Sequence, residues 1–170
     1  KTYCDIYINY HDSKKIMNKK KNFFKKDCKK LLGPKFSIIK PFRYLKKKKK
    51  IIFVFMGGVD KNNYTYDIMK FLNHNIFSKY KKIIMIGKFN RNKNQLIRFA
   101  RDLKNFSTIS DNYKNLYDFF AQSKLVISGA GLTMYEHISY GVNSIVIPQS
   151  SVQLKILKNH KNLNFVNSPA

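Results

Sequence analysis

Short apolar runs recur along the chain at residues 51–55, 83–86, 106–109, 125–128 and 144–147. Each is rich in Ile, Val, Phe or Leu, ends in turn residues, and gives way to a stretch with helical spacing. The intervening stretches at 63–72, 93–103, 113–122, 132–140 and 152–159 are the helix candidates. In the second of these, Leu96, Ile97, Ala100 and Leu103 fall at i, i+1, i+4 and i+7, which lays one apolar stripe against a sheet. Strand and helix in alternation predict an α/β, Rossmann-like three-layer domain with a parallel sheet of at least five strands and right-handed crossovers.

The first 45 residues follow another pattern. A strand at 3–9 precedes a Lys-rich amphipathic stretch at 13–30, and Leu31-Leu32-Gly33-Pro34 then leads to Pro41. This predicts the tail of a preceding domain plus an interdomain linker over 1–45, joined to a domain over 46–170. The chain opens on Lys1 inside a strand candidate and closes soon after another at 163–166, so it reads as an excised part of a longer protein. Lys46 to Lys50 reads as a solvated hinge edge.

Lys and Arg number 34 against 9 Asp and Glu, a formal net charge of +25 that would attract a polyanion. Yet 30 of the 34 are Lys, set among abundant Asn, Ile, Tyr and Phe, all of which have A/T-rich codons. Gene base composition accounts for that pattern without a nucleic acid. Few arginines are present for bidentate base contacts, and the aromatics lie mostly in apolar stripes such as Phe119 and Phe120. No specific nucleic-acid partner is therefore expected, and a basic nucleic-acid-binding domain stands as the alternative from another class. Cys4 and Cys28 form no metal spacing or C-x-x-C pair and read as plain thiols of a cytoplasmic protein. No metal or cofactor is expected, and no apolar run approaches the roughly 18 residues of a membrane span.

The glycines are more informative. Only 7 occur, and five of them (Gly57, Gly58, Gly87, Gly129 and Gly131) follow candidate strands. In an open α/β sheet that edge binds ligands, because helix N-termini and unpaired N–H groups face it. Gly141 reads as a helix C-cap and Gly33 as a linker residue. No G-x-x-x-x-G-K-[ST] is present, and Gly129-Ala130-Gly131 lacks a third glycine three positions on, which argues against a P-loop ATPase and a standard NAD site. What remains is a strand, the turn Ser128-Gly129-Ala130-Gly131-Leu132-Thr133, and a helix carrying Glu136, the only glutamate of the chain. Backbone amides of such a turn can cradle a phosphate. Glu136 could accept hydrogen bonds from ribose hydroxyls or simply face the helix dipole. His137 reads as a packing residue, and Asp60 as either the N-cap of the following helix or a ligand contact.

Taken together, the stretch from Ile51 through Gly57-Gly58-Val59-Asp60, then Ile84-Met85-Ile86-Gly87, then Ser128 to Glu136, resembles the C-terminal half of the UDP-sugar hydrolases of pseudaminic acid biosynthesis, the spore-coat polysaccharide biosynthesis protein family. It is more distantly similar to the N-acetylglucosaminyltransferase of peptidoglycan synthesis. The resemblance implies a GT-B architecture, with a UDP-sugar held between this domain and an N-terminal domain. The Leu31 to Pro41 segment is similar to the hydrolase family's linker and favours that branch. Carried over by position, Gly57, Gly58 and Asp60 would line the diphosphate and sugar side, and Ser128 to Thr133 would hold phosphate. Glu136 would bind ribose. Gly87, Lys88, Phe89 and the 109–116 stretch ending at Leu116 would lie near the uracil, with Gln153 as a sugar contact. Val59 and Leu132 stand where the family carries polar or smaller residues, which bears on the sugar more than on the nucleotide.

The family's catalytic histidine belongs to a glycine-rich turn of the N-terminal domain, and none of His11, His74, His137 or His160 has that context. Hydrolysis of a glycosyl phosphate needs a base to activate water and a stabiliser for the departing diphosphate. This chain is expected to supply the second. The donor half of a UDP-sugar glycosyltransferase is the alternative within the same architecture.

Overall fold

The computed structural model of the chain describes residues 4–10, 27–39, 48–110 and 116–158. Its main unit is a five-stranded, wholly parallel sheet of β3 (Ile51–Phe55), β4 (Lys81–Ile86), β5 (Phe106–Ser110), β6 (Leu125–Gly129) and β7 (Asn143–Ile147), ordered β5-β4-β3-β6-β7. Apolar content sets that order. In β3 every residue is buried, and in β4 every residue after Lys81, as suits strands covered on both faces. β5 and β7 mix Ser, Thr or Asn with their apolar residues, are only partly buried, and take the edges.

Among the described residues five α-helices connect and flank the strands: α1 (Tyr64–Leu72), α2 (Lys93–Arg101), α3 (Leu116–Gln122), α4 (Leu132–Ser139) and α5 (Ser151–Lys158). On one face Ile52, Val54, Met56, Ile84 and Ile127 pack against Met69 and Leu72 of α1 and Leu96 and Ala100 of α2. On the other, Phe53, Phe55 and Met85 meet Leu116 and Phe120 of α3, with Tyr140 just past α4. Phe53 is fully buried, stacked on Phe119 at 5.0 Å and edge-on to Phe120 at 5.9 Å. The result is the three-layer, Rossmann-like α/β fold that the alternating pattern predicts.

Strands β3, β4 and β5 step in one direction with α1 and α2 on one face. The chain then returns past β3 to lay β6 and β7 on its other side, with α3 and α4 on the opposite face. Right-handed crossovers require that exchange of faces when the direction reverses. The reversal falls between β3 and β6, which pair from Ile52–Leu125 to Phe55–Ser128. At their carboxyl ends the two following loops must part, and a crevice opens.

Ahead of this unit, β1 (Ile6–Asn9) pairs in parallel with β2 (Lys29–Leu32) as a separate two-stranded sheet. A strand at Lys29–Leu32 corrects the sequence reading, which ran a Lys-rich amphipathic stretch to residue 30 and a linker beyond. Two lysines followed by two leucines have no period-2 alternation, and the strand is defined by its backbone partner. Tyr10, directly after β1, sets its ring edge-on to Tyr135 of α4 at 5.6 Å. Gly141 ends α4 in the left-handed region (φ 57°), with its N–H on the carbonyl of Ile138 at 2.9 Å. Residues 11–26, 40–47 and 159–170, with the rest of the Lys-rich stretch, Pro41, Lys46 and the strand expected at 163–166, lie outside the described residues, as does 111–115.

The loop after β3 is wedged onto the end of β4. Gly57 turns at φ 87°, a region side chains other than glycine rarely adopt. Gly58 O accepts the N–H of Phe89 at 2.9 Å. A Cβ on Gly87 would run into the carbonyl oxygens of Gly57 and Gly58 and the Cα of Gly58. Gly87→Ala is therefore expected to lower the unfolding free energy by about 2–3 kcal/mol in urea titrations, because only backbone can move aside. An effect below about 0.5 kcal/mol, the size of an ordinary surface substitution, would contradict the wedge.

Candidate functional site

The crevice at the strand reversal is a cleft of about 290 Å³. Gly57, Gly58, Val59, Asp60 and Lys61 from the loop after β3 form one wall, Gly129, Gly131 and Thr133 the second, and Gln149, Ser150 and Gln153 the third. Phe55 and Met56 lie at its base.

Three helix N-termini approach this cleft; at α5 the Ser150 hydroxyl oxygen accepts the N–H of Gln153 at 3.2 Å, and the termini of α1 and α4 differ. At α1, the carboxylate of buried Asp60 accepts the backbone N–H of Tyr64 on Oδ1 at 3.0 Å and of Thr65 on Oδ2 at 2.9 Å. Both oxygens are thus spent on orphan amides of the first turn, which cancels the positive end of the helix. Asp60 holds that position at φ 44°, an uncommon backbone for a residue with a side chain. At α4, Gly131 occupies the N-cap and provides no side-chain hydrogen bond. An anion entering the cleft meets a neutralised terminus on one side and an uncapped one on the other. Exposed Lys61 adds a cation at the rim.

The third wall is a polar strap. Gln149 Nε2 reaches across Gly129 to donate to the carbonyl of Met56 at 2.6 Å, joining the ends of β7 and β3. A Cβ on Gly129 would collide with that carboxamide. Gln153 Oε1 accepts the N–H of Gln149 at 2.7 Å, so what Gln153 can offer a ligand is its NH2. The sequence reading missed Gln149 and Ser150. Glycine marked the strand ends there, and β7 ends in Pro148-Gln149-Ser150 without one.

Of the residues singled out in the sequence, Gly57, Gly58, Asp60, Gly129, Gly131, Thr133 and Gln153 come together on the cleft. Gly87, Lys88 and Phe89 adjoin it through the contact with Gly58, and the Phe89 ring is exposed. Leu116 sits in the core with Phe53 and Met85, and Ala130 in a cluster with Met134, Tyr135 and Val146 that Leu132 borders. Neither Leu116 nor Ala130 presents its side chain to the cleft.

Glu136 lies one turn into α4, away from the cleft lining, and is buried. Its Oε1 accepts the hydroxyl of Tyr117 at 2.8 Å, and Oε2 has no partner among the described residues. Burial, and then this bond to a carboxylate, push the Tyr117 phenol up to about 12, so it stays a donor. Next along the helix, His137 is fully buried, with Nε2 2.7 Å from Ser128 Oγ and its ring edge-on to Phe120 at 5.7 Å. Nδ1 is buried without a partner among the described residues, and burial lowers the imidazole pKa to about 4. His137 is thus a packing residue that also ties α4 to the end of β6. Among the described residues no cluster of His, Cys, Asp and Glu could hold a metal, and no helix is long and apolar enough to cross a membrane.

No protein-family model matches the chain. It is 26% identical over 183 residues to the uncharacterized protein MJ1062 of Methanocaldococcus jannaschii, an alignment covering 94% of this chain and 37% of that protein. The chain thus spans little more than a third of the curated relative it matches.

Two outcomes follow from these contacts. Asp60→Ala removes both amide bonds and is expected to cost about 1–2 kcal/mol in chemical denaturation, with Asp60→Asn recovering part of it. His137 titrates near 4 when folded against 6.5 in an unfolded chain, so the unfolded state takes up its proton first. Its contribution is complete above about pH 6.5 and is lost as the pH falls towards 4, by about 3 kcal/mol. The fall in unfolding free energy across that window should be shallower in His137→Gln than in the parent, and equal slopes would refute the assignment.

Proposed function

We propose that this chain binds the UDP portion of a nucleotide sugar as the C-terminal half of a GT-B-type protein, a UDP-sugar hydrolase of nonulosonic-acid or surface-polysaccharide biosynthesis. The observation that carries the reading is the pairing of an uncapped α4 N-terminus in the switch-point cleft with a buried carboxylate one turn further along the same helix. A diphosphate would take the amides at Gly131 to Thr133, where a helix terminus and a glycine turn favour negative charge. Ribose hydroxyls would donate to Glu136, whose carboxylate lies behind the described lining with Oε1 on the Tyr117 hydroxyl, so the ribose would extend beyond the cleft along α4.

The dimensions fit half of a binding site. About 290 Å³ falls just below the roughly 300–1,000 Å³ typical of small-molecule sites, too little to enclose a nucleotide sugar in one domain. A preceding N-terminal domain would cover the remainder. The described lining holds no histidine, and its one carboxylate, Asp60, is bound to two amides. The base that activates water would therefore come from that other domain, while this one stabilises the leaving diphosphate. In the donor half of a glycosyltransferase, the alternative reading, the same site would serve and an acceptor hydroxyl would replace water.

Calorimetric titration at physiological salt tests the proposal. UDP should saturate the protein, with UMP weaker and uridine weakest. Glu136→Ala should weaken UDP by about tenfold, the effect of about 1.4 kcal/mol in lost hydrogen bonding. A folded sample that binds no UDP at millimolar concentration, or binds only polyanions with a steep salt dependence, would overturn it.

A further inference from the structure

The two cysteines, 24 residues apart in sequence, meet in the fold with their Sγ atoms 3.3 Å apart. Backbone pairing brings them together. Lys29 N–H donates to Asp5 O at 2.8 Å, and β1 and β2 then run in register from Ile6–Lys29, so the residues entering the two strands are held side by side. Both thiols are free. Cys28 is buried and Cys4 half-buried, so a reagent in solution reaches Cys4 first. A disulfide has its sulfurs about 2.05 Å apart, and an approach of little more than an ångström would form one. Burial raises the Cys28 thiol pKa, with the neighbouring Cys4 thiol adding to it.

We propose that Cys4 and Cys28 are a reversible dithiol/disulfide pair, in which Cys4 meets a small-molecule disulfide of the glutathione class and Cys28 resolves the adduct. The Cys4 thiolate attacks one sulfur of the oxidant, its S–S bond breaks, and one glutathione thiolate leaves and is protonated. Cys28 then gives up its proton and attacks Cys4 Sγ. The mixed disulfide breaks, the second glutathione thiolate leaves, and the Cys4–Cys28 bond forms. Two protein thiols are oxidised and one small disulfide is reduced to two thiols. The bond clamps β1 to β2 and closes the intervening chain into a covalent loop, which restricts the unfolded state. Tyr10, continuous with β1, would then hold its contact with Tyr135 from a fixed strand.

The test incubates the whole chain with oxidised glutathione and maps alkylated and disulfide-linked peptides by mass spectrometry. Both alkylation sites should disappear together, with the loss of two hydrogens from an intact monomer and a Cys4–Cys28 linked peptide released by reductant. The oxidised protein should melt several degrees higher. Cys4→Ser should leave Cys28 free of glutathione and still alkylatable after unfolding, and should abolish the rise in melting temperature. Cys28→Ser should trap glutathione on Cys4. Should Cys28→Ser not fold, Cys4→Ser and the parent protein decide the matter. Stable glutathione on Cys4 beside an unreacted Cys28 in the parent, or disulfide-linked dimers, would overturn the proposal.

Discussion

A strand that is apolar at every position must be covered on both faces, and β3 is such a strand. Its burial draws α1 and α2 to one face and α3 and the end of α4 to the other. Because parallel crossovers keep one hand, helices can occupy both faces only if the chain reverses direction beside β3. The reversal separates the loops after β3 and β6, and the cleft lies where they part. Position and depth of the site are thus consequences of the core. Gly87 contributes by letting the Gly57-Gly58 turn lie directly on the end of β4.

Within the cleft, the placement of a few acids decides what can bind. A chain with 34 basic residues and 9 acidic ones has few carboxylates to spend. Asp60 is used at the N-terminus of α1, where both oxygens accept amides, so it is buried charge satisfied by a helix end. Glu136 is set deeper on α4 against a phenol. The α4 N-terminus itself is left without a capping side chain. A helix end neutralised by its own acid beside one left uncapped gives a cleft that discriminates by position, which a uniformly basic surface does not.

Much of this was legible in the sequence because apolar runs and glycines carry it. The runs 51–55 and 125–128 match β3 and β6 to within a residue, and the glycines after them mark the two loops that part. What escaped was written in tertiary pairing. Gln149 acts through a carbonyl 93 positions away, β2 exists through its register with β1, and the two thiols meet only once those strands pair. Asp60 was ambiguous because capping and ligand contact ask for the same residue in the same place. Leu116, which the resemblance puts near the base although it falls within the helix candidate 113–122, begins α3 and turns into the core.

The central claim is that an anionic ligand docks on α4 and not on α1. Backbone amide chemical shifts followed during a titration with UDP test it most directly. The account predicts that the largest, saturable shifts fall on Gly131, Leu132 and Thr133, with Tyr64 and Thr65 little changed because Asp60 already holds their amides. Shifts centred on Tyr64 and Thr65, or spread over surface lysines and erased by salt, would contradict it.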